Sequence, residues 1–161
     1  EGACLMTDTT VEVKILGENH DSKLNFTLAA LAHDCMEAIG APRFTEEEKA
    51  YARQVAQAVG LPGVEGELDE SILPVDGTIK KDNGSSDVAD VSQIVPVVNI
   101  NNACYGRKTP NHSWAVTVQA DKPAAHRGML FAAKTLALMG TRLATEPTLL
   151  AAVRAEFEQA E

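Results

Sequence analysis

The chain has 161 residues, of which 45% are hydrophobic and 23% charged, so it is long enough for one domain with a buried core. Its formal net charge of -9 and its scattered Lys and Arg residues argue against nucleic-acid binding, which needs clustered cations to neutralise phosphates. Three widely spaced cysteines form neither a disulfide framework nor a CxxC pattern, which favours a reducing cytoplasm. No apolar run approaches the ~20 residues that span a bilayer, so we expect no membrane association.

The first predicted element is a strand. Residues Thr9–Leu16, "TTVEVKIL", alternate apolar and charged side chains, which is the pattern of a half-buried strand. The chain starts with Glu1 rather than Met and runs directly into "ACLMTDTTVEVKIL", which is interpreted as a strand already under way with no helix cap before it. We therefore expect it to be a piece of a longer protein.

Two amphipathic helices are predicted next. Apolar residues recur at helical spacing from Ser22 onward, and Gly40 is suited to end that helix. Thr45 and Glu48 have the spacing of a capping box, so the second helix should begin at Thr45 and end near Gly60.

A loop-rich connection is predicted over residues 61–86, which are rich in Gly, Pro, Asp, Glu and Ser. Ser86 or Asp87 is suited to cap a short helix that stops before Pro96. The apolar run Val95–Ile100 then predicts a largely buried strand.

The remaining elements are a strand and two helices. Ser113–Asp121 alternates apolar and polar residues and is predicted as a strand. Pro123 begins one helix, for which Gly140 is the expected stop, and Pro147 begins the last helix. The order β-α-α-loop-α-β-β-α-α predicts an α/β or α+β fold.

The stretch "KTPNHSW" contains the most unusual candidate residue, His112, on a loop before a predicted strand. Imidazole is the commonest metal ligand, and loops on rigid elements are where such ligands lie. A lone histidine is nevertheless more often a surface or capping residue, and no HxH, HExxH or HxxxH partner is nearby. The residues alone leave both interpretations open. His20, His33 and His126 are interpreted as structural.

Asp87 and Asp90 form a second candidate site. They are three residues apart, which places them on one face of the short predicted helix. Paired carboxylates near a helix N-terminus are suited to hold a metal or a proton. The alternative is that one of them caps the helix and the other is solvated.

Several motifs in series carry a family resemblance. "GSSDVADVSQIVPVVNINNACYGRKTPNHSW", "AAHRGMLFAAKTLA" and "EPTLLAAVRAEF" resemble the C-terminal part of the aminobenzoyl-glutamate utilization protein B group. These are amidohydrolases of metallopeptidase family M twenty, which includes aminoacylases and carboxypeptidase G. "LMTDTTVEV" and "IGAPRFTEEE" resemble that group's exit from its lid domain and return to its catalytic domain.

The resemblance implies a domain organisation and a chemistry. Residues 1–16 would be the first strand or the end of a lid and dimerisation domain, and residues 17–161 the C-terminal part of a two-metal catalytic domain. That domain is α/β, a sheet flanked by helices, and is expected to be incomplete here. In the family two divalent ions, zinc or manganese, activate a water, and a glutamate serves as general base in the hydrolysis of a small amide substrate.

The resemblance also assigns residues. His112 matches the family's last metal-ligating histidine, while Asp87 and Asp90 match positions that border the active-site cleft. Asn111 replaces the glycine before that histidine and is expected to tolerate the positive φ of the turn. Asp87, Asp90 and Asn111 are therefore predicted to contact substrate.

The family's other metal ligands and its paired glutamates have no counterpart in this sequence. A single histidine cannot hold two metals, so the chain is expected to be a C-terminal fragment of an amidohydrolase that is inactive alone. It should associate with the missing N-terminal half or with copies of itself. The alternative is a non-catalytic α/β binding or interaction module in which "TPNHSW" is a turn.

Overall fold

The computed structural model describes residues 1–60, 63, 66–79, 84 and 86–160. Within these residues the chain forms helices and no strand. The helices are α1 (Gly2–Thr7), α2 (Phe26–Ile39), α3 (Glu46–Val59), α4 (Asp87–Ser92), α5 (Trp114–Ala120), α6 (Pro123–Thr145) and α7 (Pro147–Gln159).

The predicted α/β fold is wrong, because the described part of the chain contains no sheet. Thr9–Leu16 and Val95–Ile100 have no regular secondary structure, and the residues before Thr9, expected to belong to a strand, form the helix α1. A strand needs a neighbour that accepts its backbone hydrogen bonds, and no described segment forms a ladder with either one. The side chains of Val13 and Ile15 are 80% and 72% exposed, so the alternating pattern buries no face here.

The third predicted strand, Ser113–Asp121, is instead the helix α5. Ala115 and Gln119 are buried, and their spacing of four places them on one side of a helix. The segment therefore folds as a helix that buries these two residues, although its apolar and polar residues alternate.

The predicted beginnings of α3, α4, α6 and α7 are confirmed, whereas the helix predicted from Ser22 onward begins at Phe26, after its cap Asn25. Thr45 and Glu48 form both hydrogen bonds of the capping box, at 3.2 and 2.6 Å. The Ser86 side chain accepts from the backbone N–H of Val88 and caps α4. Helices α2 and α3 end at Gly40 and Gly60, as the sequence predicts.

Helix α6 is longer than the sequence predicts. Gly140 does not stop it, since a glycine inside a helix costs only about 1 kcal/mol relative to alanine. The helix ends at Thr145, because Pro147 forces Glu146 out of the helical region, to φ -115° and ψ 85°. The proline, and not the glycine, sets this boundary.

Of the predicted connection 61–86, residues 61, 62, 64, 65, 80–83 and 85 lie outside the described residues. The described part of it contains no helix or strand. The division into residues 1–16 and 17–161 stays a prediction. No helix in the described ranges combines the length and the apolar composition needed to cross a membrane.

The main core lies between α2, α6 and α7. Its buried side chains are Leu28, Leu31, Ala32, Cys35, Met139 and Val153. A buried polar contact joins two of these helices, because Asn25 donates from Nδ2 to the carbonyl of Val153 at 2.9 Å. Its Oδ1 accepts from the N–H of Leu28, so one side chain both caps α2 and binds α7.

A smaller core consists of Phe44, Ala52, Leu68 and Ala124, which are buried together. It joins α3 to the N-terminal part of α6. The hydroxyl of Tyr51 in α3 also donates to the carbonyl of Val118 in α5 at 2.9 Å. Helix α6 therefore contributes to both cores.

Glu156 in α7 holds the N-terminus of α2. Its carboxylate accepts from the backbone N–H groups of Phe26 and Thr27, each at 2.7 Å. Partial burial opposes ionisation, but the hydrogen bonds from Thr27 and Phe26 outweigh it and hold the pKa of the Glu156 carboxyl below its ordinary value. The negative charge also suits the positive end of the helix dipole.

We expect Glu156→Ala to lower the free energy of unfolding by about 1 kcal/mol, the usual cost of losing a helix cap. Glu156→Gln keeps an acceptor but removes the charge, so it should cost less. Because the folded pKa is depressed, the charge stabilises the fold above the unfolded pKa, and this contribution is lost as the pH falls through the folded pKa. The difference between the native chain and Glu156→Gln in urea unfolding should therefore shrink from about pH 7 to about pH 3; a constant difference would contradict the assignment.

Candidate functional site

The loop that carries His112 is anchored at Gly106. The backbone N–H of Gly106 donates to Oε1 of the buried Gln119 at 3.1 Å. The Gln119 Nε2 group donates to the carbonyl of Ala115 at 2.8 Å, so both ends of this buried amide are used. Thr109 donates from its hydroxyl to the Gly106 carbonyl at 2.6 Å and from its backbone N–H at 3.2 Å. The loop is therefore fixed to α5 before the chain reaches His112.

A second contact at Gly106 is between two backbones. A Cβ added to Gly106 would lie 2.8 Å from Cα of Gly66, closer than real Cβ contacts allow. The N–H of Arg107 donates to the carbonyl of Glu67 at 2.7 Å beside this contact. Only glycine permits this approach, which ties the loop to the segment after α3.

His112 is exposed and has a left-handed backbone, with φ 55°. Lys108, at the other end of the turn, has φ 58°. The expected positive φ at Asn111 is therefore found at these two residues instead. Asn111 contributes through its side chain, whose Oδ1 accepts from the Tyr105 hydroxyl at 2.9 Å. The imidazole of His112 thus lies at the tip of a hydrogen-bonded turn.

Asp87 and Asp90 are in the first turn of α4, but their environments differ. Asp90 accepts from the backbone N–H of His20 at 3.0 Å, and its Oδ1 is 2.8 Å from Nδ1 of the same histidine. The backbone hydrogen bond and then the ring of His20 hold the pKa of the Asp90 carboxyl below its usual value. Asp87 is exposed. Asp90 therefore fastens the segment before α2, which gives His20 a structural role.

The described residues do not bring a complete set of metal ligands together. In these ranges no group of three or more His, Cys, Asp or Glu side chains is placed to hold a metal ion. A zinc site needs at least three protein ligands of this kind, and His112 is one. The described part of the chain alone does not form the two-metal site that the resemblance implies.

A cleft of about 480 Å³ lies next to this loop, between α2, α6 and the segment that precedes the loop. One part of its lining is apolar and includes Met36, Val98 and Phe131. The other part offers hydrogen-bonding groups, among them His33, Asn99, Asn101, Asn102, Tyr105 and Arg107. Its size and mixed lining are those of a small-molecule site.

The polar lining of this cleft was not predicted from the sequence. From the sequence, His33 is interpreted as structural, because a single histidine within a helix does not indicate a binding site. The repeated asparagines at 99, 101 and 102 were the available signal, since asparagine is uncommon in a buried strand. These amides instead line an open cleft.

Comparison with known proteins shows that the chain is similar to a hydrolase. One relative is a component of the p-aminobenzoyl-glutamate hydrolase of Escherichia coli (strain K12), with 30% identity over 182 aligned residues. The alignment covers 99% of this chain, which confirms the resemblance to the aminobenzoyl-glutamate utilization protein B group. The chain spans 38% of the length of that relative. No family model and no solved structure matches this chain.

The left-handed backbone of His112 predicts an unusual order of stability. We expect His112→Gly to be about 1 kcal/mol more stable than His112→Ala, because alanine in this conformation brings its Cβ too close to the backbone. Thr117, exposed in α5, is the matched control, and there glycine should be about 1 kcal/mol less stable than alanine. Urea unfolding of the four variants measures this; equal or reversed stability at position 112 would contradict the left-handed assignment.

Proposed function

We propose that this chain is part of a metal-dependent amidohydrolase that cleaves an amide such as an N-acyl or aminobenzoyl-glutamate bond. The observation that carries the proposal is similarity along 99% of the chain to a component of p-aminobenzoyl-glutamate hydrolase. Since the chain spans 38% of that relative, the other catalytic groups are assigned to polypeptide beyond the described residues. The active form is an assembly in the cytoplasm.

His112 supplies one metal ligand in this proposal. Its imidazole is exposed, and its loop is fastened through Gly106 to the buried Gln119. A ligand on a rigid support loses little conformational entropy when it binds. The bound divalent ions, zinc or manganese, supply an activated water for amide hydrolysis. The remaining ligands come from the missing N-terminal part or from another copy.

The neighbouring cleft supports a small amide substrate with aromatic and carboxylate groups. The apolar lining residues Met36 and Val98 suit an aromatic ring, while the guanidinium of Arg107 and the amide of Asn102 suit a carboxylate. Arg107 also lies 3.8 Å from Glu67 Oε2, and Asp69 shares the lining, so a substrate carboxylate would compete with these groups. Asn111 is joined to this cleft because it accepts a hydrogen bond from Tyr105, which lines it.

Asp87 and Asp90 remain part of the proposal as substrate-contacting residues, although neither of them lines the cleft described above. Asp87 is exposed and available for a direct contact. Asp90 is held by His20, so its role is to position the helix that presents Asp87.

The test uses the assembled protein and p-aminobenzoyl-glutamate as the probe. We expect His112→Gly to lower kcat/KM at least about 100-fold and to reduce bound metal. Substitution of a residue that only orients a metal ligand already lowers metal affinity or activity by about 10- to 100-fold. Added imidazole should restore part of the activity, because it replaces the missing ring. The exposed α3 residue Gln57 provides the control variant Gln57→Ala, which should leave activity and metal content unchanged.

Two results would contradict this assignment. Full activity and metal content in His112→Gly would remove the ligand role. Robust hydrolysis by the isolated chain would show that it is not an incomplete part of the enzyme. An assembly without amidase activity and without bound metal would favour the alternative, a non-catalytic binding or interaction module.

A further inference from the structure

Tyr105 lines the cleft and is held at both ends. Its side chain is half-buried, and its hydroxyl donates to Oδ1 of Asn111 at 2.9 Å. The backbone N–H that follows it in the chain, that of Gly106, donates to Oε1 of the buried Gln119 at 3.1 Å. The backbone and the far end of the side chain are therefore both fastened, and the aromatic ring between them has little freedom to move.

The hydrogen bond to Asn111 also limits what the Tyr105 hydroxyl can offer a ligand. A tyrosine hydroxyl has one proton to donate. Because Asn111 accepts this proton, Tyr105 presents the apolar body of its ring and not a hydrogen-bond donor. A ligand carboxylate, which needs donors, therefore gains little at Tyr105.

Met36 is a second group in the cleft that favours an aromatic ligand. Its half-buried side chain on α2 lines the same cleft as Tyr105. Sulfur makes favourable contacts with aromatic rings, and offset or edge-to-face ring pairs are stabilised beyond the area that they bury. An aliphatic ring of the same size gains only the buried area. Tyr105 and Met36 together therefore favour an aromatic group over an aliphatic one.

We propose that Tyr105, held by Asn111, is a specificity-determining residue that makes the cleft selective for amides with an aromatic acyl group. This inference rests on the proposed function and deepens it, because an amidohydrolase site could also take aliphatic acyl groups. A ring that is already fixed loses little conformational entropy when a ligand packs on it. The hydrogen bond from Tyr105 to Asn111 therefore contributes to the selectivity.

Two stable carboxylates, benzoate and cyclohexanecarboxylate, test the selectivity in the assembled protein. They have the same charge and a similar ring size, but only benzoate is aromatic. By ligand-observed NMR titration we expect the native protein to bind benzoate about fivefold more tightly, the contribution of one favourable aromatic pair. Tyr105→Leu keeps an apolar side chain without a ring and should remove this preference. Equal affinities in the native protein, or an unchanged preference in Tyr105→Leu, would overturn the proposal.

Tyr51 provides a matched control. It is also half-buried, and its hydroxyl donates to the carbonyl of Val118 at 2.9 Å, but the described residues that line the cleft do not include it. Tyr51→Leu should leave the preference for benzoate unchanged. A loss as large as that in Tyr105→Leu would show a general effect of removing a hydrogen-bonded tyrosine, and would overturn the specificity role.

The contribution of the hydrogen bond is tested by Tyr105→Phe and Asn111→Ala, which both keep a ring at position 105. Each variant should lower the preference for benzoate about threefold, which corresponds to the ordering of one side chain on binding. The double variant should lower it no further, because both changes remove the same interaction. Effects that multiply in the double variant, or no effect in either single variant, would overturn the role assigned to Asn111.

Hydrolysis separates this inference from the proposed function. A preference for benzoate that depends on Tyr105, in a protein that does not hydrolyse p-aminobenzoyl-glutamate, would retain the aromatic selectivity of the cleft and reject the function. Hydrolysis that depends on His112, with an unchanged preference in Tyr105→Leu, would retain the function and reject the role of Tyr105.

Discussion

The hydrogen bond from the backbone of Gly106 to the buried side chain of Gln119 determines the geometry of the candidate site. It fixes the start of the loop to α5. The hydroxyl of Thr109 also donates a hydrogen bond to the carbonyl of Gly106. The approach of Gly66 to Gly106 fastens the loop on another side. An unpaired amide would be costly in this buried position, so the arrangement is well specified. His112 projects from the resulting turn.

Helix α6 connects this anchored loop to the rest of the fold. Gly128 packs against the segment before the loop so closely that an added Cβ would lie 2.7 Å from Cys104 Sγ and 2.8 Å from Asn102 Nδ2. The same helix completes the core with α2 and α7. The side chain of Leu136 on this helix is exposed. The anchored loop and the main core are therefore joined through α6.

The helix caps could be predicted from the sequence, whereas the strands could not. The box of Thr45 and Glu48 and the cap at Ser86 were predictable, because each is decided within a few residues. The strand at Thr9–Leu16 was not, because an alternating pattern needs a neighbouring strand that the described chain does not provide. In the site, the sequence indicated a turn at "KTPNHSW" but assigned the positive φ to Asn111 and not to His112.

The central claim is that His112 is one ligand of a metal site that other polypeptide completes. Diffraction from the assembled protein, with anomalous data at the absorption edge of the bound metal, tests it most directly. We expect a metal ion about 2.0–2.1 Å from an imidazole nitrogen of His112 if the metal is zinc, with its other ligands outside the described residues. A fully ligated metal centre that leaves the His112 ring in solvent would contradict it.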